Sequence, residues 1–210
     1  MNIKRSDLTQ KYEIIRNIGK ELVTKMVSSL AITTVHQGAK QLGLMNKDRI
    51  VFSNQHEMKI LADYVLYHCR VDGQNMIEAY LQANVDTLLP DRIELLSILQ
   101  NARFCVLEVL DIPSFPILVV KDLIRQDEFL LVDKALSTSA QKNTIIVSNI
   151  AFFDDFAMTT GGPIPLVDPN LSDKIRQKVK RHGKQPLEKL IVSVLKTCLA
   201  EDALAQVVYC

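Results

Sequence analysis

FCVLEVLDIPSFPILVVKDLIRQDEFLLVDKAL, running from Phe104 to Leu136, is where the chain changes character. Upstream, apolar residues recur every three or four positions. From Phe104 onward they come in short runs rich in Val, Ile, Leu and Phe, separated by the turn-like pieces IPSFP (112–116) and RQDE (125–128). β-Branched and aromatic residues suit a pleated, partly buried surface, and Pro, Asp and Ser punctuate it. FCVLEVLDI, PILVVKDLI and EFLLVDKAL therefore each read as a strand. Beyond SAQKN (139–143), NTIIVSNIAFF and FAMTT read as two more. Regular spacing of short strands predicts an antiparallel meander or small barrel of about five strands. Alternation along the runs is imperfect, as it is when both faces are partly covered. The spacing does not choose between an SH3-like and an OB-like barrel.

Outward from this block the periodicity is helical on both sides. Residues 6 to 30 predict a helix with Ser6 as its cap, whose apolar face is Leu8, Ile15, Ile18, Leu22, Met26 and Leu30. A second helix is expected over 32–44, stopping near Gly43, and RIVFS (49–53) reads as extended. Asn54 and Glu57 have capping-box spacing and open a helix to about His68. Asp72-Gly73 is a turn, a short helix follows around Met76 to Leu81, and Pro90 fits the first position of another that ends near Ala102. Downstream, Ser172 is the expected cap of a helix over 173–182, with Gly183 as its stop. Pro186 then starts a helix whose stripe is Leu187, Leu190, Ile191, Val194, Leu195 and Cys198. The fold class is α+β: a helical region over 1–102, a β meander or barrel over 103–168, and C-terminal helices over 171–210, expected to pack as one unit.

Composition narrows the function classes. The chain has 210 residues, 48% hydrophobic and 23% charged, enough for a core without staples. Net charge is +1, so no global field draws nucleic acid or membrane. MNIKRSDLTQKYE has no apolar run after its charges, unlike a secretory signal. No stretch approaches the ~20 apolar residues of a membrane span. Cys69, Cys105, Cys198 and Cys210 are scattered without a CxxC pair, which argues against a zinc site or disulfide framework. Cys105 reads as a buried thiol, and the chain as a cytoplasmic, bacterial-style protein with no cofactor.

Several stretches resemble sites. FFDDFAMTTGGPIP (152–165) holds paired aspartates, two threonines and two glycines. Adjacent Asp154 and Asp155 point to opposite sides of a strand, so they cannot share one substrate. A phosphate loop needs glycines before a helix and usually a lysine, whereas Pro163 follows here. The stretch reads as an acidic turn, a strand from Phe156 to Thr159, and a glycine turn. Ser137, Thr138 and Ser139 read as a turn whose hydroxyls bond their own backbone. No histidine falls in HxxxH or HExxH. His68 reads as a favourable contact with a helix C-terminus in polar surroundings. Lys174, Arg176, Lys178, Lys180, Arg181 and Lys184 form a basic tract that could meet phosphates, though no aromatics interleave with it.

HEMKILADYVLY (56–67), DGQNMIEAYL (72–81), RIELLSILQNARFCVLEVLDI (92–112), VKDLI with FLLVDKALS, and FAMTTGGPIPLV (156–167) together resemble an uncharacterised family of bacterial proteins. Some related chains carry a SEC-C-type cysteine-rich metal motif, which this sequence lacks, so the resemblance implies no zinc. It implies no activity either. Gly73, Asn75, Tyr80, Asp122, Asp133, Thr159, Thr160 and Gly161 stand in the matching stretches without an assigned role.

The expected function is a binding, scaffold or regulatory interaction protein without catalysis, holding a protein partner or itself. The apolar stripe from Leu187 to Cys198 is expected first to dock on the chain's own core; the alternative is a subunit contact, in which it and the end ALAQVVYC would supply a homodimer surface. One alternative is a nucleic-acid accessory protein using the basic tract. The other is an enzyme whose site forms only in the fold, with Asp122, Asp133, Asp155 and Thr160 converging on a pocket.

Overall fold

Three- and four-residue apolar spacing becomes helix through the first half of the chain. The structure, a computed structural model, describes residues 5–183, 185–201 and 203. α1 (Arg5–Ser28) buries Leu8, Tyr12, Leu22 and Met26 along one face. It already includes Arg5, so Ser6 lies within it rather than at its cap. α2 (Ile32–Leu42) ends at Gly43, whose φ of 78° is the left-handed stop expected there. β1 (Met45–Asn46) and β2 (Arg49–Ile50) form a small hairpin. α3 (Gln55–His68) is capped by Asn54, whose Oδ1 accepts from the N–H groups of His56 and Glu57. α4 (Met76–Asn84) carries a full capping box from Asn75 and Glu78, and α5 (Pro90–Leu99) starts on its proline.

The strands follow as expected, with one addition and one change. β3 (Arg103–Ser114), β4 (Ile117–Asp122) and β5 (Glu128–Val132) form an antiparallel meander. Then comes a short helix, α6 (Lys134–Ser139), where a strand ending and a turn were expected. Asp133 decides this: its Oδ1 accepts the Leu136 N–H, and the chain enters helix instead of continuing β5. Ser137, Thr138 and Ser139 donate their hydroxyls to carbonyls of that helix. β6 (Ile145–Phe152) returns antiparallel to β3, and β7 (Ala157–Thr159) pairs antiparallel with the end of β6. β7 then meets β5 in parallel at Leu131 and Ala157, closing the ring β3-β4-β5-β7-β6. A closed ring with an odd number of strands cannot alternate direction throughout. One pair must run parallel, and here it is β5 with β7. β8 (Ile164–Leu166) pairs with the start of β6, beyond β7 on the same edge.

Burial explains the imperfect alternation. Cys105, Leu107, Val109, Leu118, Val120, Leu131, Ile146 and Ile150 fill the barrel. Phe104, Val106, Ile145 and Val147 point outward yet are equally buried, beneath α2, α3 and the C-terminal helices. Val132, Ala151, Phe156 and Met158 are covered by α1, α3 and α5. Of those C-terminal helices, α7 (Pro169–His182) is capped by Asp168 and not by Ser172. Ser172 sits inside the helix, buried, with its hydroxyl donating to Leu166 O. α8 (Leu187–Ala200) turns Leu190, Ile191, Val194, Leu195 and Cys198 into the same core as Phe104. Of its two expected places, the stripe therefore takes the chain's own interior and not a homodimer surface. Most of the apolar end ALAQVVYC lies outside the described residues.

Candidate functional site

The segment after β7 is the meeting point of the helical layer and the barrel. Thr159 donates its hydroxyl to Asp133 Oδ2 at 2.7 Å, both residues being buried. Arg16, reaching down from α1, donates to Thr159 O at 2.7 Å and to Gly161 O at 3.4 Å. Thr160 donates its N–H and hydroxyl to Asn149 O on β6, at 3.0 and 3.3 Å. Asp63, on α3, lies so close to the glycine pair that a Cβ on Gly161 would fall 2.1 Å from its Oδ2. Glycine is required here for close approach: its φ is not in the left-handed region. Asp63 also accepts the Gly162 N–H.

Two titratable groups are held away from their ordinary behaviour. Burial pushes the Asp63 carboxyl up to about 7, against the opposing pull of the Gly162 N–H and Arg16. Burial pushes His68 down to about 4, the Asn149 contact only partly offsetting it. Its neutral ring packs edge-on to Phe104 and meets Asn149 Oδ1 through Nε2 at 2.8 Å, so Nε2 carries the proton. His68 is the last residue of α3, as expected, but it is half-buried and neutral, so it makes no cationic contact with the helix end. Tyr67, one turn beyond Asp63, buries its hydroxyl beside Thr160. Burial first, and then the Asp63 charge, raises its pKa.

The segment separates two cavities of different size. Asp63, His68, Ser148 and Asn149 line a small one of about 20 Å3, room for about one water molecule. Gly162 borders this cavity and also a second one of about 420 Å3, which opens between α1 and the Thr159–Gly162 backbone. Arg16, Lys20 and Lys59 stand around the larger cavity, and among the described residues no carboxylate lines it. Its floor is apolar, built by Val23, Leu99 and Met158. Such a chamber can take an anionic head on its cations and bury an attached apolar body.

Of the four pocket residues expected from sequence, Thr160 lines the larger cavity and Asp133 bonds the neighbouring Thr159. Asp133 and Thr160 flank Thr159. Asp122 is at the other end of the barrel, because the register pairs Ile117 with Val132 but Lys121 with Glu128. There it accepts the Ile124 N–H and pairs with Arg125 at 2.8 Å, holding the β4–β5 turn. Asp155 is exposed and pairs with Lys11 at 3.3 Å. Arg16, Asp63, Tyr67 and Asn149 were missed. The available signal was the pair Asp63 and Tyr67, polar tips four apart on an otherwise apolar stretch of α3.

Much of the basic tract is tied to the chain itself. Lys174 pairs with Glu201 at 2.6 Å, Arg176 with Glu108 at 2.8 Å, and Lys178 donates to Ser193 at 3.0 Å. Lys180 and Arg181 are exposed, and Lys184 lies outside the described residues. Burial raises the thiols of Cys69 and Cys198 to about 11 and about 12, so neither supplies a thiolate nucleophile at neutral pH. Among the described residues no group of three or more His, Cys, Asp or Glu side chains could hold a metal ion. Nor is any helix among them long and apolar enough to cross a membrane.

Residues 6–189 match the model of a family of unknown function (DUF7986), and the chain belongs to that family. No curated protein and no solved structure matches it.

Proposed function

We propose that this family member is a non-catalytic binding protein whose ligand is a small organic anion, a carboxylate or phosphate monoester on an apolar body. The observation that carries the reading is the charge of the larger cavity. Three cations and, among the described residues, no carboxylate surround it, in a chain whose net charge is only +1. Its volume of about 420 Å3 falls within the roughly 300–1,000 Å3 of ordinary small-molecule clefts. Binding is favoured over catalysis because Asp63 and His68, the displaced carboxyl and imidazole of this segment, face the cavity of about 20 Å3, which admits no substrate. The buried free thiols of Cys69, Cys105 and Cys198 suit a reducing compartment such as the cytoplasm.

The test is calorimetric titration of the full chain with a panel of aliphatic and aromatic carboxylates and phosphate monoesters. At least one should bind below millimolar, and a Lys20→Glu, Lys59→Glu double variant should weaken it by about tenfold or more, ~1.4 kcal/mol, with its circular dichroism unchanged. No binding across the panel, or equal binding to the double variant, would overturn the reading.

A further inference from the structure

A second groove lies against the first and has the opposite charge. It opens between α1 and α5 over the end of β6, with a volume of about 530 Å3. Ile15 and Leu95 belong to both cavities, so the two share a wall. The groove floor is Ile14, Ile18, Ile98 and Phe153. Ile14 is 53% exposed, an isoleucine facing solvent beside other apolar groups. Its rim is acidic: Asp7, Asp91, Glu94 and Asp154 against the single cation Lys11, itself paired with Asp155. Asp7 and Asp91 lie in the first turns of their helices, where a carboxylate also favours the dipole. Glu94, past the first turn of α5, and Asp154, in a loop, have no such duty, and both are exposed.

We infer that this groove docks a basic amphipathic helix of a partner protein, its apolar side chains on the isoleucine floor and its Lys or Arg residues on the acidic rim. An apolar floor supplies affinity for one face of a helix, and a rim of a single sign selects the flanking charges and speeds encounter. The occupant is not a second copy of this chain. The chain's own basic helix, α7, hides Leu171 and Ile175 in the core and so cannot offer an apolar face. An anionic lipid surface would be repelled by the rim.

The test uses the full chain and a fluorescent Leu/Lys peptide of about four helical turns, with its leucines at three- and four-residue spacing. Anisotropy should show binding that weakens as salt is raised. A peptide of the same composition in scrambled order should bind about tenfold more weakly or worse. So should the original peptide to a Glu94→Lys, Asp154→Lys variant, whose exposed positions leave the fold intact. Equal binding of the scrambled peptide, or unchanged binding to the variant, would overturn the inference. So would a full-length chain that dimerises until Ile14→Asp is introduced, because the groove would then be an interface between copies. The organic-anion titration reads the other cavity, through Lys20 and Lys59, and can fail or succeed independently.

Discussion

Asp63 and His68 are one helical turn and one residue apart on α3, line the same cavity of about 20 Å3, and are displaced in opposite directions. Their effects on stability oppose each other. Asp63 has its folded pKa raised from 3.8 to about 7, so between those values the folded state holds a proton the unfolded state has lost. Stability from this group is full below about pH 4 and is lost as pH rises through about 7. His68 has its folded pKa lowered from 6.5 to about 4, so over that range the unfolded state holds the extra proton, and stability rises with pH. The windows overlap almost completely. Thermal melts from pH 4 to 7 should therefore be nearly flat for the wild type, measured against an Asp63→Asn, His68→Gln double variant as baseline. Asp63→Asn alone should melt higher as pH rises, and His68→Gln alone should melt lower. Parallel profiles for all four proteins would mean that neither group titrates as its burial demands.

At the scale of elements, local rules and packing compete, and α6 and α8 show each winning once. EFLLVDKAL has the composition of one strand, yet Asp133 can cap a helix, and its other oxygen is claimed by Thr159 on the neighbouring strand β7. The cap stops β5 at Val132 and places the polar cluster at the barrel's end. In α8 the apolar stripe was legible at once, and of its two expected partners, the chain's own core or a second subunit, the structure shows the core. Ile191 and Val194, 4% and 0% exposed, sit in the core beside Phe104 and Val106. Ile191→Ala should therefore cost about 2–5 kcal/mol in urea unfolding, the range for a large-to-small change that leaves a cavity. Truncation after Gly183 should give an unfolded or aggregated chain by circular dichroism. A folded monomer would instead show that α8 only leans on a core complete without it.

At the scale of the whole molecule, closure of the barrel decides where stability is concentrated. β3 is paired along both edges: Leu107 faces Asp122 on β4 and Ile146 on β6. Helices cover it from outside through Phe104 and Val106. Amides of Val106 and Leu107 should exchange only through global unfolding and be the slowest measured by hydrogen exchange. Those of the two-residue β1–β2 hairpin, which has few partners, should exchange by local opening and be far faster. Equal protection in both would contradict a barrel-centred core. The sequence alone determined the order and type of most elements, though not of α6 or β8, because 3.6-residue and short-run periodicities are local and Asn54, Pro90 and Gly43 mark helix ends within a few residues. It also determined that no zinc pattern is present. The parallel closure of β5 on β7 came from the parity of a five-stranded ring, which exists only once the ring has closed. The site was likewise a tertiary matter. Arg16, Asp63, Asn149 and Gly161 are far apart in the chain, and nothing local distinguishes a solvated arginine or aspartate from one pressed against another element's backbone. Only packing the helices onto the barrel desolvates Asp63 and His68, and desolvation is what makes them unusual.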